Sequence, residues 1–500
     1  MIKKNFFWKF ANIFFFIIFL FLFAFFCYLT VKSILNKKNI DIFLSLFFIY
    51  SVTAIFAVYL FLQERHMDAK IPWLLLIIFL PLIGPILYLV YGRKYRNVIN
   101  KTNKNFIIDN NIEIYDKDQK EIFNNFSNIF KRNVKNFNSE TFFNGYLFFK
   151  QLINDMENAK KYIFIEIFII KNHFIWNKIR DVLIKKAKEG IEIRMILDSF
   201  GTSYIKRKEW KELEKLGINI IFYNKIYYPF IHSNNFYRIH KKIFLIDGKI
   251  SYIGGNNISD EYNNFSKKYG IWFDTNLKVT GNVVLDILES FIFDWNKWSK
   301  NKIENLENYF EKNIDPKISS ENLGILFEGG PDDYESLLET ALINLIYKAK
   351  NKIQIFTPYF VPTKRIFLAI KEALLTKKEI EVFLPGKYDK KYVKWFTEEF
   401  STQLEELGAK IYEYKNIFSH TKALIIDEKI GYTGTMNLDV RSLYSQYEIN
   451  LLISGKFVSD FIENLDYLKR KKIINEKKNN MKKNKKLFKK FLIDFFKSLL

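Results

Sequence analysis

The chain has 500 residues, of which 53 are phenylalanine, and its 77 Lys and Arg outnumber its 54 Asp and Glu to give a formal net charge of +23. This length exceeds one ordinary domain, so we expect a membrane part and two or three soluble units. The positive charge suits contact with anionic phosphates or anionic lipid, although a genomic bias toward Lys, Asn, Ile and Phe would also produce it. The single cysteine, Cys27, excludes an intrachain disulfide and a Cys-based zinc site.

Three apolar runs open the chain, Phe10–Val31, Ile42–Leu62 and Ile71–Gly92, and each is long enough to cross a hydrocarbon core of about 30 Å as a helix. The first run is longer than a signal-peptide core and lacks a small-x-small cleavage site, so we interpret it as a retained anchor. Lys and Arg crowd the loop after the first run and the flank after residue 92, which predicts a cytoplasmic location for the rest of the chain. Three spans would leave the lysines before the first run outside, so the sequence leaves two or three spans open.

The third run has internal detail. Gly84, Tyr88 and Gly92 recur every four residues, which predicts one helix face that a neighbouring helix approaches closely. Pro81 and Pro85 are expected to kink that helix, because proline removes a backbone donor.

An internal duplication fills the soluble part. The segment Arg238–Asn257, RIHKKIFLIDGKISYIGGNN, aligns with Phe418–Asn437, FSHTKALIIDEKIGYTGTMN. Upstream of each copy, strand patterns alternate with helical patterns, which predicts parallel sheet with helices on both faces in each half. We therefore expect a connector at 93–135, a first lobe at 136–315 and a second lobe at 316–468. Five identities, each pair 180 residues apart, link the copies: His240 with His420, Lys242 with Lys422, Asp247 with Asp427, Gly254 with Gly434, and Asn257 with Asn437.

Each copy contains H-x-K on a predicted strand, so the His and Lys project from the same face. Brought together by a pseudo-two-fold, the copies would supply two imidazoles, two ammonium groups and the amides of Asn257 and Asn437, which suits a phosphate anion. One neutral His would attack phosphorus while the other, protonated, protonates the leaving alkoxide. The cations replace a divalent metal, so we expect neither metal nor cofactor; His66, His173 and His232 stand alone and are interpreted as structural.

Four carboxylates belong to this predicted site. Asp247 and Asp427 complete the catalytic motif, but each ends an apolar strand, where it is better placed to brace the turn than to meet substrate. Asp274 in YGIWFDTN and Glu448 in SQYEIN are the predicted partners of the histidines. A carboxylate on one ring nitrogen would fix the tautomer and favour the imidazolium.

The repeated pattern H-x-K-x4-D-x6-G-x-x-N resembles the signature of the phospholipase D superfamily. The neighbouring segments GGNNISDEY (Gly254–Tyr262), TPYFVP (Thr357–Pro362) and GTMNLDVRS (Gly434–Ser442) resemble bacterial cardiolipin synthases in particular. The run IPWLLLIIFLPLIGPILYLVYGR is similar to the N-terminal membrane region of that family. Phe273 departs from the family, which commonly has Arg at this place within W-R-D.

This resemblance implies an α/β fold of two similar phospholipase D-like lobes, with mixed or parallel sheet and flanking helices, which form a pseudo-two-fold pair preceded by transmembrane helices. It implies a multi-pass phosphatidyltransferase of the cell membrane whose catalytic part is cytoplasmic. The reaction would join two phosphatidylglycerol molecules into cardiolipin and release glycerol through a phosphatidyl-histidine intermediate. By analogy with the superfamily, His240 would be the nucleophile and His420 the acid.

Two other activities would use the same residues. A membrane-bound phospholipase D would transfer the phosphatidyl group to water, and a nuclease of the superfamily would suit the basic chain. The apolar runs favour a lipid substrate, and no nucleic-acid module is recognised, so we expect no nucleic-acid partner. The sequence leaves the acceptor alcohol and the oligomeric state open.

The last segment, 469–500, is interpreted as a basic amphipathic tail. It is rich in lysine, and apolar residues recur at helical spacing from Phe488 to Leu499. This pattern is typical of a helix on an anionic membrane surface, while a terminal helix packed on the protein would show the same spacing.

Overall fold

The computed structural model describes residues 39–63, 67–92, 112–225, 236–265, 270–310, 320–333 and 336–477, together with Phe25, Tyr28 and Lys32. These residues divide between two compact units, one up to residue 92 and one from residue 112 onward. The predicted first span, Phe10–Val31, lies almost wholly outside the described residues, as do His66, His232 and the tail beyond Lys477.

The N-terminal unit contains the helices Asn39–Phe61 and Met67–Phe79, a short helix Gly84–Leu87 and a π-helical turn Tyr88–Gly92. Within the described residues, Ile42–Phe61 is the one helical stretch that is long and apolar enough to cross a membrane. The third predicted span is therefore not one continuous helix. It breaks beside Pro81, as its prolines predicted, because a proline ring and its missing N–H do not fit a helix interior.

The expected close approach in this unit involves the chain's own preceding helix. A Cβ at Gly84 would overlap the backbone of Leu76, so only glycine fits there. The buried Tyr88 donates its hydroxyl to Gln63 Oε1 at 2.8 Å, and its ring meets Trp73 edge-on at 5.6 Å between centroids. These contacts fold the second half of the run back on the helices before it.

The second unit begins with the helix Lys117–Phe130, capped by Asp116, and continues into two lobes of matching element order. The first lobe has nine strands: β1 (Lys135–Phe142), β2 (Tyr162–Ile167), β3 (Glu192–Asp198), β4 (Asn219–Tyr223), β5 (Arg238–Ile239), β6 (Ile243–Ile246), β7 (Ile250–Gly254), β8 (Ile271–Phe273) and β9 (Asn276–Gly281). Its helices are Gly145–Glu157, Phe174–Lys188, Arg207–Lys215 and Val283–Trp298, followed by a 3-10 turn Leu306–Tyr309.

The second lobe repeats most of this order, but a short helix stands in the place of β8 and a further strand follows the last helix. Its strands are β10 (Asn322–Gly329), β11 (Lys352–Phe356), β12 (Glu379–Pro385), β13 (Lys410–Tyr414), β14 (Ile417–Ser419), β15 (Ala423–Ile426), β16 (Ile430–Gly434), β17 (Gln446–Gly455) and β18 (Ile474–Glu476). Its helices are Leu337–Lys348, Lys364–Leu375, Lys391–Glu405, Val440–Tyr444 and Lys456–Arg470. Because β18 pairs with β13, the lobe continues into the range that the sequence assigned to the tail.

The two lobes share one sheet of 16 strands, in which β1 and β10 pair antiparallel at the pseudo-two-fold. The α/β class and the repeated lobes are confirmed, but the sheet is mixed. Neighbouring strands run parallel in β2–β3–β4 and β11–β12–β13, which are joined by helical crossovers, and in the short pairing of β5 with β17. The duplicated motifs form the hairpins β6–β7 and β15–β16, whose tight turns require antiparallel pairing.

Helices cover the sheet with apolar faces of helical period. In Val283–Trp298 the buried residues include Val284, Leu288, Phe291 and Trp295, which lie on one stripe. The helix Lys456–Arg470 holds the corresponding place in the second lobe and buries Phe457, Phe461, Leu465 and Leu468. Both pack into the core cluster that joins the lobes, so the motif strands rest on a rigid support.

Candidate active site

Short parallel pairings between the lobes hold the two H-x-K motifs. Strand β5 pairs with the start of β17, so the His240 N–H donates to the Tyr447 carbonyl at 2.9 Å. In the mirrored arrangement β14 pairs with β8, and the His420 N–H donates to the Phe273 carbonyl at 2.6 Å. Phe273 thus contributes its backbone, which any residue supplies, so the departure from W-R-D leaves Asp274 in register.

Each histidine is bonded to a carboxylate from the other lobe. His240 Nδ1 lies 2.9 Å from Glu448 Oε2, and His420 Nδ1 lies 2.6 Å from Asp274 Oδ2. The sequence paired these acids with the site but did not indicate that they exchange lobes. A carboxylate on Nδ1 holds the proton there and leaves Nε2 as the nitrogen for chemistry. Thr275 Oγ1 and Thr421 Oγ1, 3.3 Å apart, join the lobes beside this pair.

The two motif lysines lie beside their histidines. Lys242 Nζ donates to the His240 carbonyl at 2.6 Å, and Lys422 Nζ donates to the His420 carbonyl and lies 3.6 Å from Asp274 Oδ2. The histidines are 6% and 5% exposed and both lysines 1%, so all four groups are removed from bulk water. Electrostatic interactions among them are correspondingly strong.

Burial among cations favours the neutral form of every basic group in the site. It lowers the pKa of His420 to about 4, with Lys422 adding to the effect against Asp274, and it lowers the pKa of His240 well below the ordinary value. Burial also lowers the pKa of Lys242 to about 7 and that of Lys422 to about 8. Asp274 raises the pKa of His420, as expected of a carboxylate partner, but burial and the lysines outweigh this effect.

Glu448, the acid that contacts His240, has a raised pKa. Burial raises the pKa of its carboxyl to about 7, against the opposing effects of Lys242 and of a hydrogen bond from Thr435. A site of this kind binds an anion well, because a bound phosphodiester supplies the negative charge that its ammonium groups lack.

Asp247 and Asp427 lie at the far ends of the motif strands and bond to backbone. The Asp247 carboxylate accepts N–H groups from Lys160, Lys161 and Tyr162 at 2.7 to 3.0 Å, where β2 begins. Asp427 repeats these contacts at the start of β11. Both have positive φ, 55° and 51°, which aspartate tolerates in a turn. These contacts brace the turn. The two aspartates, which the motif grouped with the catalytic side chains, therefore have a supporting position.

The paired asparagines differ in their contacts. Asn257 Oδ1 accepts the Ile169 N–H at 3.1 Å, and its Nδ2 donates to the Tyr262 hydroxyl at 2.7 Å. In the second lobe Thr357 accepts the local N–H groups instead. Asn437 Oδ1 is consequently buried without a hydrogen-bond partner among the described residues.

The sequence did not indicate several residues that support the site. Thr435 Oγ1 donates to Glu448 Oε2 at 2.5 Å, whereas a Cβ at the matching Gly255 would overlap the Asp274 carboxylate. Asn276 and Asn450, each two residues beyond a site acid, accept the backbone N–H groups of residues 256 and 436 at 3.0 and 3.2 Å. The shared pattern of acid-x-Asn, in DTN and EIN, was the signal that could have found the asparagines.

Aromatic rings enclose the imidazoles. Phe168 meets His240 at 5.3 Å between centroids, while Tyr262 and Trp272 meet His420 at 5.7 and 5.2 Å. His173, which the sequence analysis interprets as structural, lies outside this site. It is exposed at the N-terminus of the helix Phe174–Lys188.

Comparison with known proteins finds relatives along most of the chain. The family described as Cardiolipin synthase, PLD-like domain, matches residues 152–284 and 342–469, and the Phospholipase D-nuclease N-terminal family matches residues 49–93. The cardiolipin synthase of Oceanobacillus iheyensis is 30% identical over 428 residues, covering 81% of this chain and 88% of that protein. The major cardiolipin synthase ClsA of Bacillus subtilis is 32% identical over 453 residues, covering 85% of this chain and 92% of that protein.

A solved structure shares the fold. Phosphatidylserine synthase of Haemophilus influenzae superposes with a TM-score of 0.56 at 15% identity, covering 76% of this chain and 98% of that protein. Together with the matches in both halves and the near full-length relatives, this agrees with the resemblance of the motifs. The chain therefore belongs to the cardiolipin synthase family of phospholipase D-like proteins.

Proposed function

We propose that this chain is a cardiolipin synthase, a phosphatidyltransferase that forms cardiolipin and glycerol from two phosphatidylglycerol molecules. The observation that supports this most directly is the exchange of Asp274 and Glu448 between the lobes, which anchors both imidazoles around one buried cationic site. Such a site can bind a phosphodiester and act on it from two sides. The relatives named as cardiolipin synthases support the choice of substrate.

In the first step, His240 Nε2 attacks the donor phosphorus, and the bond from phosphorus to the glycerol oxygen breaks. That oxygen takes a proton from His420. The bound phosphodiester raises the pKa of this imidazole and so helps to protonate it beforehand. We assign His240 as the nucleophile because burial, Lys242 and Lys422 favour its neutral form, while Asp274 raises the pKa of His420 against burial.

In the second step, neutral His420 removes the proton from a hydroxyl of the second phosphatidylglycerol. The oxygen attacks phosphorus, the bond from phosphorus to nitrogen breaks, and His240 returns to its neutral form. Lys242, Lys422 and the amide of Asn437 would neutralise the phosphoryl oxygens in both steps. Asn257 would hold Tyr262 against His420, and Asp247 and Asp427 would hold the strands.

The N-terminal helices would tether the catalytic unit to the cell membrane with two or three spans. The helix Ile42–Phe61 and the match of residues 49–93 to the Phospholipase D-nuclease N-terminal family support an anchor. The lysines and arginines that follow residue 92 support a cytoplasmic catalytic unit.

Product analysis tests the function. The purified full-length protein, incubated with vesicles of phosphatidylglycerol, should form cardiolipin and glycerol in equal amounts. His240→Ala and His420→Ala should each abolish the product, while His173→Ala should leave it unchanged because that side chain lies outside the site. Phosphatidic acid as the sole lipid product would instead identify a hydrolase. An adduct of a phosphatidyl group on His240, trapped by rapid denaturation at mildly alkaline pH and located by mass spectrometry, would identify the nucleophile.

A further inference from the structure

Two exposed cations lie beside the buried site and take no part in the steps above. Lys390 Nζ stands 5.0 Å from the ring centre of Tyr359, and that ring meets the His420 imidazole edge-on at 6.4 Å. Arg441 belongs to the short helix Val440–Tyr444, which leads directly into the start of β17, the segment paired with β5. Both side chains are exposed.

The segment of Tyr359, which Lys390 contacts, is joined to the segment just before Arg441. The Val361 N–H donates to the Leu438 carbonyl at 3.1 Å, and Val361 forms a parallel bridge with Asp439. Burial and the motif lysines lower the pKa of His240, and Arg441 and Lys390 lower it further. The same two charges oppose the effect of burial on the pKa of Asp439. Both cations therefore lie close enough to act on His240 and on Asp439.

Neither cation forms a salt bridge in the part of the chain that the structure describes. Other exposed cations of this lobe do: Arg365 Nη1 lies 2.7 Å from Glu339, and Lys394, one turn beyond Lys390, lies 3.8 Å from Glu398. Both charges act on the carboxyl of Asp439, but neither forms a salt bridge with it, and beside a site that holds two lysines they gain by binding an anion.

We propose that Lys390 and Arg441 form a second anion subsite at the rim of the active site, which binds the phosphodiester of the acceptor. This inference rests on the proposed function, because the synthase reaction brings two phosphodiesters to one site. The donor group reacts between the histidines, whereas the acceptor group stays intact and still requires countercharge. Arginine is suited to that role, since its planar guanidinium can bind a phosphate with two hydrogen bonds.

A matched pair of soluble acceptors isolates the phosphate. Glycerol and sn-glycerol 3-phosphate offer the same primary hydroxyl and differ by one phosphate group. With phosphatidylglycerol in neutral detergent micelles as donor and a radiolabelled acceptor, the wild-type protein should use glycerol 3-phosphate with about tenfold higher kcat/KM. Arg441→Gln and Lys390→Gln should each reduce this preference about fivefold and leave glycerol within about twofold. Arg441→Lys should retain part of the preference, and the control Lys394→Gln all of it.

Three outcomes would overturn the subsite: no wild-type preference for the phosphorylated acceptor, an unchanged preference in the variants, or an equal loss with both acceptors. The last result would place the cations on the donor or in the fold. The proposed function is tested separately in the same assay, because a protein that forms no cardiolipin from phosphatidylglycerol alone contradicts that function whatever the acceptor preference.

Discussion

The acids that contact the two motif histidines differ in length and in support. Asp274 lies against Gly255, whereas the longer Glu448 accepts a hydrogen bond from Thr435 at the matching position. The site is therefore asymmetric within a symmetric frame. This asymmetry is consistent with different roles for the two imidazoles, one forming a bond to phosphorus and the other moving protons.

Thr435→Val should test the support of Glu448. The hydroxyl bond lowers the pKa of this carboxyl, so its removal should raise that pKa above about 7 and leave the carboxyl protonated at a higher pH. A protonated Glu448 has lost the negative charge that stabilises the proton on His240 Nδ1, so kcat should fall about tenfold at neutral pH and its acidic limb should move to higher pH. The pH profile of cardiolipin formation measures this. An unmoved acidic limb would assign Thr435 a purely structural role, and the exposed Thr376→Val provides a control.

The pKa values of the motif lysines predict the basic limb of the pH profile of kcat/KM. Burial lowers the pKa of Lys242 to about 7 and that of Lys422 to about 8, so both lose their charge as the pH rises through this range. Phosphodiester binding should weaken, and kcat/KM should fall about tenfold between pH 8 and 9. At saturating lipid the bound anion raises both pKa values, so kcat should change less than about twofold. A flat kcat/KM up to pH 9 would contradict this picture.

At the scale of elements, the segment between β5 and β6, which presents His240 and Lys242, is fixed from its opposite face. Lys241, between them, points away from the site and donates to Asp294 at 2.5 Å, Glu328 at 2.7 Å and Ser290 at 3.0 Å. Burial opposes its charge, but these acids outweigh burial and raise the pKa of Lys241. One buried ammonium thus ties the motif segment to a helix of the first lobe and to β10 of the second.

Lys241→Met should therefore destabilise the protein by about 3–5 kcal/mol, because it leaves buried acids without their cation. Burial raises the pKa of Asp294, and the loss of the lysine would raise it further. A raised folded-state pKa contributes stability below the unfolded value and loses it as the pH rises. The loss of stability caused by Lys241→Met should consequently be smaller at pH 5 than at pH 8. Thermal unfolding of the detergent-solubilised protein at pH 5 and pH 8 measures this. Lys208→Met is the control, because the Lys208 side chain is 88% exposed. An equal loss of stability at the two pH values would contradict the prediction.

At the scale of the whole molecule, the exchanged acids make the two lobes interdependent. Each H-x-K motif receives its carboxylate and its backbone partner from the other half of the same chain. A single lobe would hold a histidine without its acid. The duplication therefore created one active site from two copies of a half-site.

Co-expression tests whether one chain supplies the complete site. A mixture of His240→Ala and His420→Ala chains should remain inactive, because no chain in it contains both imidazoles. If lobes exchanged between chains, about a quarter of the wild-type cardiolipin synthesis would return. The measurement is the specific activity of the co-purified variants, with each variant alone as control.

The sequence by itself determined the paired His, Lys and Asp positions, because a duplicated strand and turn keep their chemistry at a constant spacing of 180 residues. It also determined the α/β class and the break beside Pro81, since periodicity and proline geometry are local. The sequence identified Asp274 and Glu448 as site acids but not the histidine that each one contacts. Those contacts depend on the pairing of β8 with β14 and of β5 with β17, which joins residues far apart in the chain.

Tertiary structure alone decided the remaining features. The Lys241 network, the Thr435 bond and the two rim cations depend on neighbours that no local pattern encodes. The protonation states were decided in the same way: a carboxylate partner predicts an imidazolium in water, but burial beside two lysines reverses that balance. Desolvation is a property of the folded surroundings, so it cannot be read from the order of residues.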